Sequence, residues 1–330
     1  MEIHIPSRPQ TFRWLTTVLI TLALSASLAL AQGGYPDKPI RIINPWPAGG
    51  PSDLIARSVA DVMQRSLGQP LVVENKPGAG GNIGTDQGAK SPADGYTVLF
   101  GIDSTFTINP HIYKAMPFKP EDLKPLMVIA SSGLMVGVNP GTGYKKLDDL
   151  IAATKTAKGV SLSSGGSGSP GHLAAEMLKE ATGGKVLHVP YKGNSPAVNA
   201  VLAGEVDGGE LATPGLLPQV KAGKIAALAV TSAQRSTLAP NIPTVAELGR
   251  KDLEQSVYYV AMVPAATPAP VVQKLEKALA DALARPEVRK RLEGLDLFYE
   301  GQTGATASKL LNDLSTRYGK VITATGMKVE

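Results

Sequence analysis

The sequence predicts an α/β protein of two lobes, each a mostly parallel β-sheet flanked by helices. Short apolar runs alternate with amphipathic helical patterns from residue 40 onwards, which is typical of βαβ units. Two apolar runs, 126–130 and 133–139, lie almost back to back, as expected where a strand leaves one lobe and enters another. A β-branched and aromatic run, 256–264, would return the chain to the first lobe. A cleft is therefore expected between the lobes.

The first lobe is predicted to begin with a strand at 40–44 and a helix at 51–67. The apolar residues of this helix are spaced to cover one face: Leu54, Ile55, Val59, Val62 and Met63. Strands follow at 70–75 and 97–101, on either side of a glycine-rich stretch that is only weakly helical.

The second lobe repeats this alternation. Helices are predicted at 146–157, 170–182, 196–204 and 216–223, and strands at 160–164, 185–191, near 205–209 and at 225–232. Three further helices are predicted at 268–284, 286–293 and 303–325. The first lobe is therefore discontinuous, residues 32–132 and 256–330, and the second lobe, residues 133–255, is inserted into it.

Residues 1–31 have the composition of a secretory signal peptide. Arg8 and Arg13 form a basic segment, residues 14–30 are apolar, and an A-x-A signal-peptidase pattern ends at Ala31. An uncleaved anchor is the alternative, because 14–30 is close to the shortest length that spans a bilayer. The small-residue pattern and the lack of a basic flank favour cleavage after Ala31. The mature protein is then expected to be exported and soluble.

Composition excludes several classes of protein. The chain is 43% hydrophobic and 18% charged, which is ordinary for a globular protein, and it has no cysteine, so its lobes rely on apolar cores instead of disulfides. The formal charge falls from +5 to +4 once residues 1–31 are removed, and the basic residues are scattered. Because aromatic residues are also sparse, no nucleic-acid partner is predicted.

Four glycine- and serine-rich loops follow strands or precede helices. They are residues 47–53, 78–84, 163–172 and 189–197. Free backbone N–H groups at a helix start favour an anion, and such loops line the crevice of an open α/β sheet. The alternative is structural, since Pro51 and Asp53 are ordinary features of a stable helix start. Loops 47–53 and 163–172 belong to opposite predicted lobes, so we expect them to face each other.

Signatures of catalysis are weak. Residues 78–84 resemble a variant dinucleotide fingerprint, but they follow the second strand and not the first. A G-x-S-x-G elbow and a P-loop are missing, because Ser167 is followed by Ser169 where the elbow needs glycine. No nucleophile–base pair is evident, carboxylates are scattered, and the histidines show no metal-ligand spacing. The sequence therefore predicts no enzyme, no cofactor and no metal.

Eight motifs together resemble the Bug family, the periplasmic solute receptors associated with tripartite tricarboxylate transporters. In order they are NPWPAGGPSDLIAR, VENKPGAGGNIGT, DGYTVLFG, INPHIY, GSPGHLAAE, VPYKG, LPQVKAGKIAALAVTSAQRS and IPTVAELG. The resemblance covers the chain from Tyr35 to the C-terminus. It implies a periplasmic, monomeric protein of the two-lobed Venus-flytrap (type II periplasmic-binding-protein-like) fold. A hinge is expected near 130–134 and 253–257.

The resemblance also implies a ligand and partners. The ligand would be a small organic acid, such as a di- or tricarboxylate, an amino acid or an aromatic acid, which the receptor hands to membrane permease subunits. A receptor that signals to a membrane kinase is one alternative, and an exported hydrolase on the same fold is another. The hydrolase predicts turnover.

The site residues implied by the resemblance come from both lobes. In the first lobe they are Trp46, Ala48, Gly49, Gly50 and Asp53, with the turn Asp103, Ser104 and Thr105. In the second lobe they are Ser164, Gly165, Gly166, Ser167, Ser169, Tyr191, Lys192 and Gly193.

Two acids depart from the family pattern near the expected cleft. Asp103 stands where a small hydroxyl is usual, and Glu210 stands where an apolar or aromatic residue is usual. A carboxylate that faces a carboxylate ligand is repulsive unless a positive group lies between them. The hypothesis is a ligand with an amino or other cationic group, or with fewer carboxylates than citrate. The alternative is that both acids point to solvent.

Overall fold

The computed structural model describes residues 34–329. The predicted signal peptide and its cleavage site lie outside these residues. All elements named below belong to one compact unit that begins at Pro39. No helix within residues 34–329 is long and apolar enough to cross a membrane.

The described chain alternates strands and helices. The strands are β1 (Ile40–Asn44), β2 (Leu71–Asn75), β3 (Thr97–Ile102), β4 (Leu123–Ser132), β5 (Leu134–Val138), β6 (Val160–Ser164), β7 (Val186–Pro190), β8 (Gly208–Ala212), β9 (Ala226–Val230), β10 (Val257–Pro264) and β11 (Phe298–Thr303). The helices are α1 (Pro51–Leu67), α2 (Asn82–Ala89), α3 (Ser104–Thr107), α4 (Asn109–Ile112), α5 (Leu147–Thr154), α6 (Pro170–Thr182), α7 (Asn194–Ala203), α8 (Thr213–Lys221), α9 (Ala269–Leu283), α10 (Pro286–Gly294) and α11 (Gly304–Thr325).

The strands form two sheets, so the predicted two-lobed α/β fold is confirmed. The first sheet has the order β11-β4-β10-β3-β1-β2 and the second has the order β7-β6-β8-β5-β9. β4 ends at Ser132 in the first sheet, and β5 begins two residues later in the second. The chain returns to the first sheet through β10. The exact lobe boundaries, 132/133 and 255/256, stay a prediction.

Both sheets are mixed, so the prediction of mostly parallel sheets is wrong. In the first sheet β1 is parallel to β2 and β3, whereas β10 is antiparallel to β3 and β4, and β11 is antiparallel to β4. In the second sheet β6 is parallel to β7 and β8, but β5 is antiparallel to β8 and β9. β5 and β10, the strands by which the chain enters one sheet from the other, run opposite to the strands with which they pair.

Helix α1 shows why the sequence folds as predicted in the first lobe. Ile55, Val59 and Met63 are buried on the face that the spacing predicted. The helix begins after Gly50 with Pro51 in its first turn, and it ends at Gly68, which adopts a left-handed φ of 71°. These start and stop signals place the N-terminus of α1 directly after the loop that follows β1.

The C-terminal helix α11 packs against the cores of both sheets. Its residues Ala307 and Leu311 join the apolar cluster that contains Ile43 and Val260 of the first sheet. Further along, Leu314, Tyr318 and Ile322 join a second cluster with residues of the other sheet and of α6, among them Val136, Leu162 and Leu173. One helix therefore contributes apolar side chains to both lobes.

Hydrogen bonds join the two segments that connect the sheets, the one between β4 and β5 and the one between β9 and β10. Thr231, after β9, donates its hydroxyl to the Gln255 carbonyl at 2.8 Å and accepts the Leu134 N–H at 2.9 Å. The Gln255 N–H donates to the Thr231 carbonyl at 2.9 Å. Gly133 is required here, because a Cβ would lie 2.7 Å from the backbone nitrogen of Ser232. The two chain crossings therefore meet at a single buried threonine.

Some elements were missed or misplaced by the sequence analysis. β11 was not predicted, since Gly301, with a φ of 71°, interrupts its pattern. The short helices α3 and α4 were not predicted either. The strand expected near 205–209 begins later, at Gly208, and runs through Glu210. Gly208 and Gly209 obscured the bounds of this strand because glycine is disfavoured in strands, yet a Cβ on Gly208 would lie 2.6 Å from the Gly137 carbonyl oxygen.

Candidate functional site

A cleft of about 810 Å³ opens between residues of the two sheets, which is within the usual range for a small-molecule site. Its wall consists of residues 45–52, 77–81, 165–167, 169–171, 192–196 and 210–212, with Ile102, Ser132, Leu134, Val257 and Tyr259. Most of these residues follow the carboxyl ends of β1, β2, β6, β7 and β8. Ligands of open α/β sheets bind at such ends.

Hydrogen bonds to the Asp53 side chain, in the first turn of α1, fix the first-lobe loop, residues 45–50. The Asp53 carboxylate accepts the Gly49 N–H at 2.9 Å, the Asn75 amide at 3.0 Å and the Arg57 guanidinium at 3.0 Å. Burial raises the pKa of Asp53, but hydrogen bonds from Arg57, Gly49 and Asn75 outweigh it, so the net pKa is lowered. Gly49 has a φ of 79°, a conformation that other residues rarely adopt.

Trp46 forms part of the wall that this loop gives to the cleft. Its carbonyl accepts the Asn75 amide at 3.1 Å, and its ring lies against Gly81, where a Cβ would be 3.3 Å from the indole. The indole nitrogen is buried without a hydrogen-bond partner among the described residues. An unpaired buried indole N–H is a donor available to a ligand or to water.

The second-lobe loop, residues 165–169, is organised by hydroxyl groups. Ser164 Oγ accepts the Gly166 N–H at 3.1 Å, and Ser169 Oγ donates to Ser164 Oγ at 3.2 Å. Ser169 is also the N-cap of α6, because its hydroxyl accepts the His172 N–H at 3.3 Å. The loop therefore delivers the N-terminus of α6 to the cleft.

Two stacked histidines lie beneath this second loop. The rings of His172 and His188 are 3.8 Å apart and nearly parallel. His188 Nε2 lies 2.6 Å from Ser164 Oγ, and His172 Nδ1 accepts the Gly168 N–H at 3.1 Å. Burial and the neighbouring His172 lower the pKa of His188 to about 3, and burial also lowers the pKa of His172. Both rings are therefore neutral near pH 7.

The contact of Ser164 with His188 corrects one expectation, because the sequence showed no serine–histidine pair. The two residues are separated by 24 positions and meet through the parallel register of β6 and β7. Ser164 is 0% exposed and does not line the cleft. A substrate carbonyl cannot reach its hydroxyl, so the pair supports the loop instead of catalysis.

A third loop, residues 191–193, leads into α7. The Gly193 N–H donates to the Gly165 carbonyl at 3.2 Å, which joins this loop to the second one. Asn194 accepts the Ala212 N–H at 3.0 Å through its side chain. Lys192 is exposed at the edge of the cleft, and the N-terminus of α7 opens into it.

Glu210 is buried in the wall of the cleft. It is 5% exposed, and its Oε2 atom has no hydrogen-bond partner among the described residues. Burial raises the pKa of Glu210 to about 8. The alternative that this acid points to solvent is therefore wrong.

Asp103 is also buried, but it has structural partners. Its carboxylate accepts the Tyr258 N–H at 2.8 Å and the Thr107 hydroxyl at 2.9 Å, and it does not line the cleft. Burial raises the pKa of Asp103 to about 6, against the effect of these hydrogen bonds. The side chain fixes the end of β3 to β10, so the solvent-facing alternative is wrong for Asp103 as well.

The structure brings most of the predicted site residues to the cleft. The predicted residues that line it are Trp46, Ala48, Gly49, Gly50, Gly165, Gly166, Ser167, Ser169, Lys192, Gly193 and Glu210. Those that do not line it are Asp53, Asp103, Ser104, Thr105, Ser164 and Tyr191. Within residues 34–329 the buried hydroxyls of Ser104 and Thr105 have no hydrogen-bond partner, and the Tyr191 hydroxyl donates to Glu205 at 3.2 Å. Direct ligand contact by these six residues is not supported by their positions.

Other wall residues were not named from the sequence. The loop 77–81 contributes Gly78 and Gly80, and the sequence signal for it was the glycine-rich stretch at 78–84. Asn194 and Ser195 begin α7 and lie in the glycine- and serine-rich loop 189–197 that the sequence indicated, although neither was predicted as a ligand contact. Tyr259 and Leu134 lie on the crossing strands, and no local pattern distinguishes them from core residues.

Known proteins resemble this chain along most of its length. The sequence model described as "Tripartite tricarboxylate transporter family receptor" matches residues 55–327. Protein BugT of Bordetella pertussis is 35% identical over 327 residues, which is 96% of this chain and 99% of BugT. The structure of the periplasmic binding protein BugD has a TM-score of 0.79 at 32% identity, and covers 90% of this chain and 100% of BugD. R. palustris Rpa4515 with adipate has a TM-score of 0.79 at 28% identity, with 89% and 99% covered.

Two α/β lobes around a cleft, together with relatives named as receptors and binding proteins, define a solute-binding receptor and not an enzyme. The chain belongs to the tripartite tricarboxylate transporter family of receptors, and it is similar to the Bug proteins BugT and BugD. The family that the eight motifs indicated is thereby confirmed.

Proposed function

We propose that this receptor captures a small carboxylate-bearing solute in the cleft and delivers it to a tripartite tricarboxylate-type transporter. The observation that carries the proposal is the convergence of three helix N-termini, those of α1, α6 and α7, on one cleft from both lobes. Free N–H groups and the helix dipole favour a negative charge at such positions. The structure of Rpa4515, a relative at 28% identity, was solved with adipate.

The expected contacts are main-chain N–H groups. In the first lobe Asp53 already occupies the Gly49 N–H, so we infer that the ligand uses the N–H groups of Gly50 and Ser52 instead. In the second lobe we expect the main-chain N–H groups of Ser167 and Asn194 to bind the ligand in the same way. Trp46 offers its indole N–H from the wall. Backbone donors recognise the carboxylate and leave the rest of the ligand to the shape of the cleft.

Closure of the lobes would sequester the ligand. The hinge would lie at the crossings near 130–134 and 253–257, where Thr231 bonds both segments. The closed form is the shape that a permease would bind. Small-angle X-ray scattering with and without ligand is expected to show a smaller radius of gyration with ligand, and an unchanged profile would contradict closure.

A thermal-unfolding screen of organic acids on residues 32–330 tests the ligand class. A ligand at 100 times its Kd adds about 2.7 kcal/mol of stability, which raises Tm by several degrees. Dicarboxylates such as adipate should raise Tm, whereas the matched diols should not. The proposed function is rejected if no carboxylate stabilises the protein.

Location and delivery need separate measurements. We propose a periplasmic protein cleaved after Ala31, so N-terminal sequencing of the exported protein should begin at Gln32. Delivery to a permease predicts that cells lacking the receptor lose uptake of the ligand found in the screen. Unchanged uptake would favour a sensor instead.

A further inference from the structure

Glu210 is an acid in a cleft that is otherwise built to bind anions. It belongs to β8, is nine-tenths or more buried, and lines the cleft. Its Oε2 atom lacks a hydrogen-bond partner among residues 34–329. Leaving a buried polar atom unpaired is unfavourable, so a partner is expected to arrive with the ligand.

The described chain supplies no counter-charge for this carboxyl group. Lys192, the other charged side chain of the cleft wall within residues 34–329, is exposed at its edge. Tyr259 also lines the wall, but burial raises its pKa to about 12, so it stays neutral. His172, in the first turn of α6 that packs on β8 through Gly171, is neutral because burial lowers its pKa. Burial alone accounts for the raised pKa of Glu210, and no charged neighbour offsets it.

A carboxyl group offers one thing at this position that an uncharged side chain does not. Glutamine or serine could donate a hydrogen bond to a neutral or anionic ligand without the risk of a buried charge. Only an acid gains a full negative charge when a cation enters the site. The main-chain N–H groups of the loops after β1 and β6 already provide for the carboxylate of the ligand.

We propose that Glu210 selects a zwitterionic ligand, a carboxylic acid whose ammonium or other cationic group binds at the free Glu210 oxygen. The inference rests on the proposed function, because it assumes that the loops hold a carboxylate. It narrows the ligand class from organic acids in general to amino-bearing acids. The carboxylate lies at the helix N-termini and the cationic group lies at β8.

Binding of such a ligand requires Glu210 to release its proton. Because the pKa in the free receptor is about 8, only about a tenth of the receptor is ionised at pH 7. Affinity for an amino-bearing acid should therefore rise by about 50- to 100-fold between pH 6 and pH 9. A ligand group that accepts a hydrogen bond from the protonated Glu210 carboxyl would show the opposite trend, because that contact is lost when Glu210 ionises.

Matched ligand pairs test the inference by isothermal titration calorimetry. The pairs are succinate with 4-aminobutyrate, glutarate with 5-aminopentanoate, adipate with 6-aminohexanoate, and glutarate with glutamate. At least one amino-bearing member should bind about 10-fold or more tightly than its partner, with affinity that rises with pH. The Glu210→Gln variant should lose about 100-fold in affinity for that ligand and gain affinity for the dicarboxylate.

The control variant is Glu180→Gln, which removes the same charge from an exposed position on α6. It should bind like the natural protein, and circular dichroism should show both variants folded. Tight binding of dicarboxylates with none of the amino-bearing acids would overturn the inference but leave the proposed function standing. Equal affinity in Glu210→Gln, or affinity that falls with pH, would also overturn it. No binding of any acid would reject the proposed function itself.

Discussion

The two glycine loops that meet at the cleft have similar roles but are held by different chemistry. The loop after β1 depends on an ionised carboxylate, Asp53, which accepts bonds from Gly49, Arg57 and Asn75. The loop after β6 depends on neutral groups, the Ser164 hydroxyl and the imidazole of His188. Two glycine loops that lead into helix starts at one cleft are therefore supported by a charged group in one lobe and by neutral groups in the other. The difference should appear in how each loop responds to substitution and to acid.

The largest expected loss of ligand affinity comes from replacing a glycine of either loop with a bulky residue. Gly50 and Gly165 both line the cleft, and neither has a left-handed φ, so a side chain is allowed at both positions. Gly50→Leu and Gly165→Leu should each weaken ligand binding by about 100-fold or more, about 2.7 kcal/mol, if the ligand bridges the loops. Calorimetric titration of each variant measures the loss.

The control for this pair is Gly294→Leu, an exposed helical position with open space around its Cα. It should leave binding unchanged. Loss in only one of the two loop variants would show that the ligand contacts one lobe and that the comparison of the loops does not extend to binding.

The next effect is the loss of the charged support. Asp53→Ala removes the acceptor for three donors, and hydrogen bonds to a charged group contribute about 1.5–3 kcal/mol, so we expect about 2 kcal/mol less stability. Asp53→Asn keeps one acceptor oxygen and should lose less. Urea unfolding measures both, and equal losses would contradict the importance of the charge.

As pH falls, the loop after β6, which His188 supports, should lose stability before the loop after β1. The pKa of His188 is about 3 in the folded protein, below its ordinary value of 6.5, so the unfolded chain binds more protons between these values. Its contribution to stability is therefore present above pH 6.5 and lost as pH falls toward 3. The lowered pKa of Asp53 places its loss below pH 3.8.

His188→Gln should remove this pH dependence while keeping a polar side chain near Ser164. The free energy of unfolding of the natural protein should fall more between pH 7 and pH 4.5 than that of the variant. Subtracting the two proteins cancels the opposite effect of Asp103 and Glu210, whose raised pKa values add stability as pH falls. If the free energies of unfolding of the two proteins changed in parallel with pH, His188 would not be the source of the pH dependence.

The smallest effect concerns the helix starts. Ser169 caps α6 through its side chain, whereas Gly50 gives α1 no side-chain cap. Ser169→Ala should cost about 1 kcal/mol in unfolding free energy, and Gly50→Ala should cost less, because it removes no side-chain hydrogen bond. Comparable losses would mean that the hydroxyl of Ser169 does not stabilise the start of α6.

Local sequence patterns predicted the two loops because each requires only a strand end, glycines and a helix start within a few residues. Asp53 does not line the cleft, because its carboxylate is turned to Arg57 and Asn75, and Asn75 is 22 positions away in the sequence. The same limit applies to Ser164 and His188, which meet only through the register of β6 and β7.

Pairing between strands that are distant in the sequence also determines where Asp103 and Glu210 lie. The Asp103 carboxylate accepts a hydrogen bond from the Tyr258 N–H because β10 runs antiparallel to β3. No sequence pattern near either residue indicates this pairing. Glu210 lies within β8, which begins at Gly208 and not near 205, so it is part of a strand and not of the loop after it. Positions set by strand register over large sequence separations cannot be read from local periodicity.

The helix α11 has a thermodynamic consequence. Its first half is part of the core that contains Ile43, and its second half is part of the core that contains Leu162. Neither core can come apart without exposing apolar side chains of the same helix, so the free energies of the two lobes are linked. We therefore expect the described unit to unfold in one cooperative transition, in spite of its two sheets.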